Sequence, residues 1–478
     1  MLFLSTALVM GGCGSVSGTN SSAEVISTDS ESPHGDESAK ASSTNSESVT
    51  EKSETNLAEG SVTASSDTLL DTSAMFSDRD LEQEADLSEA TTITLESGKD
   101  VTISTEGVYV IKGSAENSTI IVEADDAAKV QLVLDGVSIT NSDSPAIYVK
   151  SADKVFVTTC SDSTLTVSGS FTADGDTNTD AVIFSKDDLV LNGTSSLTIT
   201  STANGISGKD DIKVTGGTYV ITSSEDAIEA NDSVRISDGS FTIKSGKDGI
   251  HSENDEDDST GYVYISGGNL SIEASDDAVQ ATTVLQIDGG TIDVTAAEGL
   301  EATYVQINDG TINISASDDG INASSKSSAY DVVIEINGGN LTIEMGSGDT
   351  DALDANGNLI INGGTINITA QFAFDYDGKA ELNGGTVTVN GEEVTEITNS
   401  MNFGGGGMGG FGGRNGGGNG QNFGDGTAPQ MPENSDGSTP PELPEGFENG
   451  NPPAGFDGTN MPQRRDGQTR GNKGNKGN

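Results

Sequence analysis

Tryptophan is absent from this chain, and cysteine nearly so: 478 residues hold two cysteines, ten prolines, and 22 basic side chains against 76 acidic ones. Without Trp, the flat stacking platform on which neutral glucans commonly rest is missing, and in the repeats only Tyr219, Tyr262, Tyr264, Tyr304, Tyr330 and Tyr376 remain for that role. Two cysteines rule out a disulfide framework if Cys13 is acylated, and Cys160 in Val155-Phe156-Val157-Thr158-Thr159-Cys160 reads as a buried inert thiol. A net charge of -54 repels phosphate backbones and anionic lipid, which excludes nucleic acid and leaves cations, or ligands bridged by cations, as natural partners. Apolar residues make up 32% and glycine contributes 62 positions, a poor composition for several conventional cores.

What the chain does have is self-similarity. From residue 189 to 389 a unit of about 22 residues recurs as apolar-x-apolar-x-Gly-Gly-Thr-apolar-x-apolar, a polar turn, and Asp-Gly/Ala-apolar-x-Ala. The glycine pairs fall at Gly216-Gly217, Gly267-Gly268, Gly289-Gly290, Gly338-Gly339, Gly363-Gly364 and Gly384-Gly385. Period-2 patterning starts near residue 92, and its roughly 300 residues give on the order of 13 coils. The fold expected is all-β, a right-handed parallel β-helix (solenoid) of about 22 residues per coil, with three short strands around a filled interior.

The expected organisation has four parts. Residues 1–13 form a short apolar run ending in Met10-Gly11-Gly12-Cys13, a lipoprotein-type signal with Cys13 as the lipidated residue, although no Lys or Arg precedes the run. Residues 14–75 are a Ser/Thr/acidic tether, 76–400 the β-helical domain, and 401–478 a Gly/Pro-rich tail with a basic end. Residues 76–90 read as a short helix capping the open end of the stack. The implied location is the outside of the cell, with the membrane reached through the N-terminal anchor.

Aligned on their glycines, the copies place one polar type at one corner: Asp180, Asn204, Asp226, Asp248, Asp277, Glu298, Asp319 and Asp351. Three residues on lies a second column of Ser207, Glu229, His251, Gln280, Glu301, Asn322, Asp354 and Asp375. Between them an inward apolar column runs Val182, Ile206, Ile228, Ile250, Val279, Leu300, Ile321, Leu353 and Phe374. Carboxylates about 4.8 Å apart repel by roughly 3 to 4 kcal/mol at an effective dielectric of 20, so the column needs protons, splaying or bridging cations. A cation midway would stand about 2.4 Å from each oxygen, within the calcium range and long for magnesium. The candidate metal ligands are Asp226, Glu229, Asp248, Asp277, Glu298, Glu301, Asp319, Asp351, Asp354 and Asp375, with Ca²⁺ as the cofactor. Asp, Asn and Gly are also ordinary turn residues, and solvated corner chemistry is the competing explanation. Insertions at 172–179, 252–260 and 324–331 flank these columns and are candidates for further ligands.

Several segments taken together resemble a bacterial cell-surface family of carbohydrate-binding domain proteins. They are Phe76-Ser77-Asp78-Arg79-Asp80-Leu81, Val130-Gln131-Leu132-Val133-Leu134-Asp135-Gly136-Val137, Ala146-Ile147-Tyr148-Val149, Ala152-Asp153-Lys154-Val155-Phe156-Val157 and Phe184-Ser185-Lys186-Asp187-Asp188-Leu189. The resemblance covers residues 76 to about 390. It implies calcium-carrying right-handed parallel β-helices that bind plant-type polysaccharide, including pectic acid. Asn204 and Phe372 interrupt the first acidic column, so a metal need not occupy every coil.

The function expected is non-catalytic, calcium-dependent binding of an acidic, uronate-containing polysaccharide. Two alternatives stand beside it: a polysaccharide lyase acting on a pectate-like substrate, and a structural adhesin or cell-wall spacer. A lyase needs a base, for which the candidates are Lys209, Lys213, Lys244, Lys247 and His251. Paired carboxylates are too abundant here to discriminate.

Overall fold

The structure, a computed structural model, describes residues 69–399 except 255, 258 and 349. The expectations for residues 1–13 with Cys13, for most of the tether, and for the tail after 400 lie outside the described residues. Apart from a 3-10 turn at Thr72–Ala74, every regular element among the described residues is a strand. Alternating Val, Ile and Leu against Thr, Ser and Asn dictate this: Asn269–Glu273 and Thr311–Ala316 bury every second side chain and expose the others.

The strands collect into two sheets, one of 22 strands and one of 12. The smaller runs without a break from Val101–Ile103 to Phe372–Tyr376, one strand per repeat, each paired in parallel with the next. The larger takes two limbs from each repeat, one before and one after the glycine pair. Its pairings are parallel except at the end, where Thr386–Val389 meets Glu392–Val394 antiparallel.

These findings correct the expected right-handed parallel β-helix, a single solenoid of about 22 residues per coil with three faces. The glycine pair does not separate two faces; it is a kink inside one sheet. Asp211–Thr222 passes through Gly216-Gly217 as one strand, and its register against Ser233–Lys244 slips on either side of Thr215. Gly290 shows why only glycine fits: its φ is +99°, and a Cβ at Gly289 would stand 2.8 Å from the Ser266 carbonyl oxygen. Nor is the interval uniform, since equivalent acidic residues follow one another at 22, 29 and 32 positions.

Both sheets bury their inward residues in one continuous apolar core. In the small sheet the inward row is Ile183, Ile206, Ile228, Ile250, Val279, Leu300, Ile321, Leu353 and Phe374. Ile183, and not Val182, pairs with Ile206 in this row, which continues back through Ile147 and Ile120. On the large sheet Asn308, Asn337, Asn362 and Asn383 form an amide ladder, each Nδ2 donating to the preceding Oδ1 at 2.8 to 2.9 Å.

The helix expected at 76–90 is absent, and the segment does not cap an end. It lies as a strap across the outer side of the first limbs. Arg235 Nη1 donates to the Met75 carbonyl at 3.4 Å, Asn192 Nδ2 to that of Glu82 at 3.0 Å, and Gln83 Nε2 to that of Thr215 at 2.9 Å. Leu70 and Met75 pack on Tyr264 and Val284, and the Arg79 guanidinium sits 4.5 Å over the Phe156 ring. Asp80, 1% exposed, is anchored by Lys154 at 3.4 Å, with Lys213 at 3.9 Å. Asp80 is thus a buried anion of the strap.

Candidate metal centre

The acidic corner sits on the small sheet, and backbone pairing puts it in register. Asp277 lies opposite Glu298, Gln280 opposite Glu301, Glu229 opposite His251, and Asp354 opposite Asp375. In Asn204, Asp226, Asp248 and Asp319 one side-chain oxygen is tied to the next repeat. The N–H of Asp226 donates to Asn204 Oδ1 at 2.9 Å, that of Asp248 to Asp226 Oδ1 at 2.9 Å, that of Asp277 to Asp248 Oδ1 at 3.0 Å, and that of Asp351 to Asp319 Oδ1 at 3.2 Å.

The second column alternates carboxylates with donors, and the donors relieve part of the repulsion. Gln280 Nε2 donates to Asp277 at 2.6 Å and to Glu301 at 2.8 Å, and Asn322 Nδ2 to Glu298 at 2.9 Å and Glu301 at 3.2 Å. Glu229 accepts from Asn204 at 2.8 Å and Ser207 at 3.2 Å. His251 Nδ1 stands 3.4 Å from Asp226 and 3.6 Å from Asp248. Burial opposes charge on this imidazole, but the hydrogen bond to Asp226 and the charges of Asp248, Asp226 and Glu253 outweigh it and raise its pKa. His251 is accordingly a half-buried imidazole set among acids.

Three groups of possible metal-holding oxygens and nitrogens lie within 4.8 Å of one another in this corner: Asp226, Asp248 and His251; Asp248, Asp276 and Asp277; Asp277, Glu298 and Glu301. Burial, then Asp226, pushes the Asp248 carboxyl up to about 6. Burial, followed by Glu298, Asp248 and Glu301, holds Asp277 well above the carboxylate range. Glu298 rises to about 7 through burial and Glu301, against the Asn322 hydrogen bond. Asp319 reaches about 7 through burial, with Asp354 and Glu298 adding to it. Glu301 is held low despite its burial because Lys326 Nζ lies 2.7 Å away. The set fits a hard divalent cation in its chemistry, being mostly carboxylate oxygens and short of positive charge between Asp248 and Asp277.

Not every predicted ligand joins these groups. Glu229, Asp319, Asp351, Asp354 and Asp375 stand outside them: Asp319 accepts the Asp351 N–H at 3.2 Å, Asp354 lies opposite Asp375 at the far end, and Asp375 accepts from Asn399 Nδ2 at 2.8 Å. The insertion at 324–331 brings a cation and not a ligand, namely Lys326 on Glu301; Asn254 in the insertion at 252–260 turns away to Asp232. Asp276, one position before a column residue, was missed because alignment on the glycines gives each copy a single corner acid. A further cluster, Asp188, Asp210 and Asp211, is offset by Lys154, Lys213 and Arg235. Its signal was legible as the repeated Lys-Asp-Asp turn. Cys160 is half-buried, and its Sγ donates to the Leu134 carbonyl oxygen at 3.5 Å.

A family model for carbohydrate-binding domain-containing proteins matches residues 97–352 and 300–401. The chain belongs to that family. A carbohydrate-binding domain-containing protein of Acetivibrio thermocellus is 36% identical over 126 residues, 25% of this chain and 44% of that protein's own length. Among solved structures, the gadolinium derivative of the polysaccharide lyase-like protein from C. thermocellum matches with a TM-score of 0.42 and 31% identity, covering 47% of this chain and 96% of that one.

Proposed function

We propose that the protein binds an acidic, uronate-containing polysaccharide without cleaving it, through calcium held at the acidic corner, and that it does so on the cell surface as a lipid-anchored protein. Membership of a carbohydrate-binding family supports the ligand class. The observation that carries the metal is the crowding of Asp248, Asp276, Asp277, Glu298 and Glu301, whose carboxylate oxygens approach within 4.8 Å in overlapping groups, where burial and mutual repulsion raise the pKa of Asp248, Asp277 and Glu298 and so favour their protonated forms. Replacing those protons with a divalent ion removes the repulsion, and an ion shared with a sugar carboxylate supplies the attraction that an anionic polymer needs against a chain of net charge -54.

Binding is favoured over lyase chemistry by the state of the candidate bases. Asp226 and Asp248 raise the pKa of His251, Lys213 is buried beneath Asp80 of the strap, Lys244 is paired with Glu273, and Lys247 with Glu225 at 2.9 Å. A protonated or ion-paired group is a poor proton acceptor. Migration in native gels containing polygalacturonate, with calcium or with excess chelator, tests the reading alongside an unsaturated-product absorbance assay. Calcium-dependent retardation without product is expected; product formation, or equal mobility in both gels, would overturn it.

A further inference from the structure

Lys326 ends in the acidic corner although its backbone belongs to the insertion at 324–331. Two anchors place it there. The N–H groups of Lys326 and Ser327 both donate to Thr303 Oγ1, at 3.1 and 2.9 Å, and the Ser324 N–H donates to the Ala302 carbonyl at 3.1 Å. Thr303 is itself fully buried and fixed by its bond to the Thr282 carbonyl at 2.7 Å. From that base the ammonium reaches Glu301 at 2.7 Å, where the carboxylate side chain is 8% exposed. Burial opposes charge on Lys326, but the hydrogen bond and charge of Glu301, with Asp277 and Glu298 behind it, raise its pKa.

The ammonium completes the bonding of Glu301. An ionised carboxylate offers about four lone-pair directions, and four donors already meet this one. Ser324 Oγ and Asn322 Nδ2 approach Oε1 at 3.0 and 3.2 Å, while Gln280 Nε2 and Lys326 Nζ approach Oε2 at 2.8 and 2.7 Å. A calcium ion, which gathers about six to eight oxygens, has to displace Lys326 before it can use Glu301. Glu298 accepts from the same Asn322 amide at 2.9 Å and belongs to the same group of acids. The other end of the corner differs. Asp276 is exposed, and among the described residues no lysine or arginine is ion-paired with Asp248, Asp276 or Asp277. A positive charge tethered on one side leaves the other as the place where a free cation gains most.

We infer that Lys326 is a built-in counter-ion that closes the Glu298 and Glu301 end of the corner to metal and confines calcium to Asp248, Asp276 and Asp277; this role rests on calcium binding at the acidic corner. The test is calorimetric titration of the full chain with calcium chloride at pH 7.5, after metal has been stripped with chelator. Lys326→Met, which keeps the apolar stem and removes the charge, is expected to take up one calcium ion more per chain than the unmodified protein. Lys326→Arg is expected to take up no more than the unmodified protein. In chelator Lys326→Met should melt below the unmodified protein, and saturating calcium should restore most of the difference; a lysine with only a packing role would leave that loss unrestored. Lys326→Gln carries the same test should Lys326→Met fail to fold. The inference is overturned if the folded charge-free variant binds the same number of ions with the same affinity as the unmodified chain, or if Lys326→Arg also gains the extra ion. An unmodified chain that binds no calcium while Lys326→Met binds one would uphold the counter-ion and overturn calcium binding by the native corner. Absence of binding in both overturns the two together.

Discussion

Asp248 Oδ1 accepts the backbone N–H of Asp277 from the next repeat at 3.0 Å, while Asp248 Oδ2 lies 3.6 Å from His251 Nδ1. Asp226, Asp248 and Asp319 are thus divided, one oxygen accepting a backbone N–H of the following repeat and the other facing their neighbours. The division explains how like charges come into line: the register is set by main-chain pairing and the buried Ile and Leu row, and the electrostatic cost is carried by the free oxygens.

Two substitutions at Asp248 separate these roles. Asp248→Asn keeps an oxygen for the Asp277 N–H and removes a charge, so in chelator its melting temperature should equal or exceed that of the unmodified protein. Calcium affinity, read by titration calorimetry, should fall tenfold or more. Asp248→Ala leaves a buried N–H without its partner and should cost about 1–3 kcal/mol in denaturant unfolding.

Metal-free protein should lose stability as the pH rises. Asp248, Glu298 and Asp319 hold protons up to about 6, 7 and 7 in the folded chain, whereas the unfolded carboxyls release theirs near pH 4. Between these values the folded state binds more protons, so this contribution is complete below about pH 4 and fades as the pH climbs through 6 and 7. Melting in chelator from pH 4.5 to 8 should show the decline, and saturating calcium should flatten it, because the cation takes the place of the protons. A metal-free melting temperature that climbs across this window would contradict the assignment.

The strap depends on one buried anion. Asp80→Ala leaves Lys154 and Lys213 facing only Asp188 and Asp211, and a loss of about 3–5 kcal/mol is expected from breaking a buried ion pair. Proteolysis should then cut first near residues 76–86, ahead of the sheets.

Gly249 follows Asp248, where other repeats carry Ala227 and Ala278. A Cβ there would meet Ile272 Cγ2 at 2.4 Å and the Ala278 carbonyl oxygen at 2.6 Å. Gly249→Ala should cost about 1–3 kcal/mol through overpacking and shift the Asp248 carboxylate, with calcium affinity falling alongside stability.

Much of this was legible in sequence. Alternation marked the strands, and alignment of the copies on their recurring glycines marked the acidic corner at Asp226, Asp248 and Asp277, although the intervals between them differ. The two-sheet arrangement was not legible, since the glycine pair at Gly216-Gly217 has the same composition whether it turns a corner or kinks one strand. The partners of the acids were also hidden. Lys326 reaches Glu301 from an insertion, and Arg79 and Asp80 reach Phe156, Lys154 and Lys213 across most of the first half of the fold, contacts that no local pattern encodes.

Thermal melting of the full chain at pH 7.5, once in excess chelator and once in saturating calcium, tests the metal-holding corner most directly. The acidic corner predicts a calcium-dependent rise in melting temperature that grows with calcium concentration and shrinks in Asp277→Asn. Superimposable melts in the two conditions would contradict it.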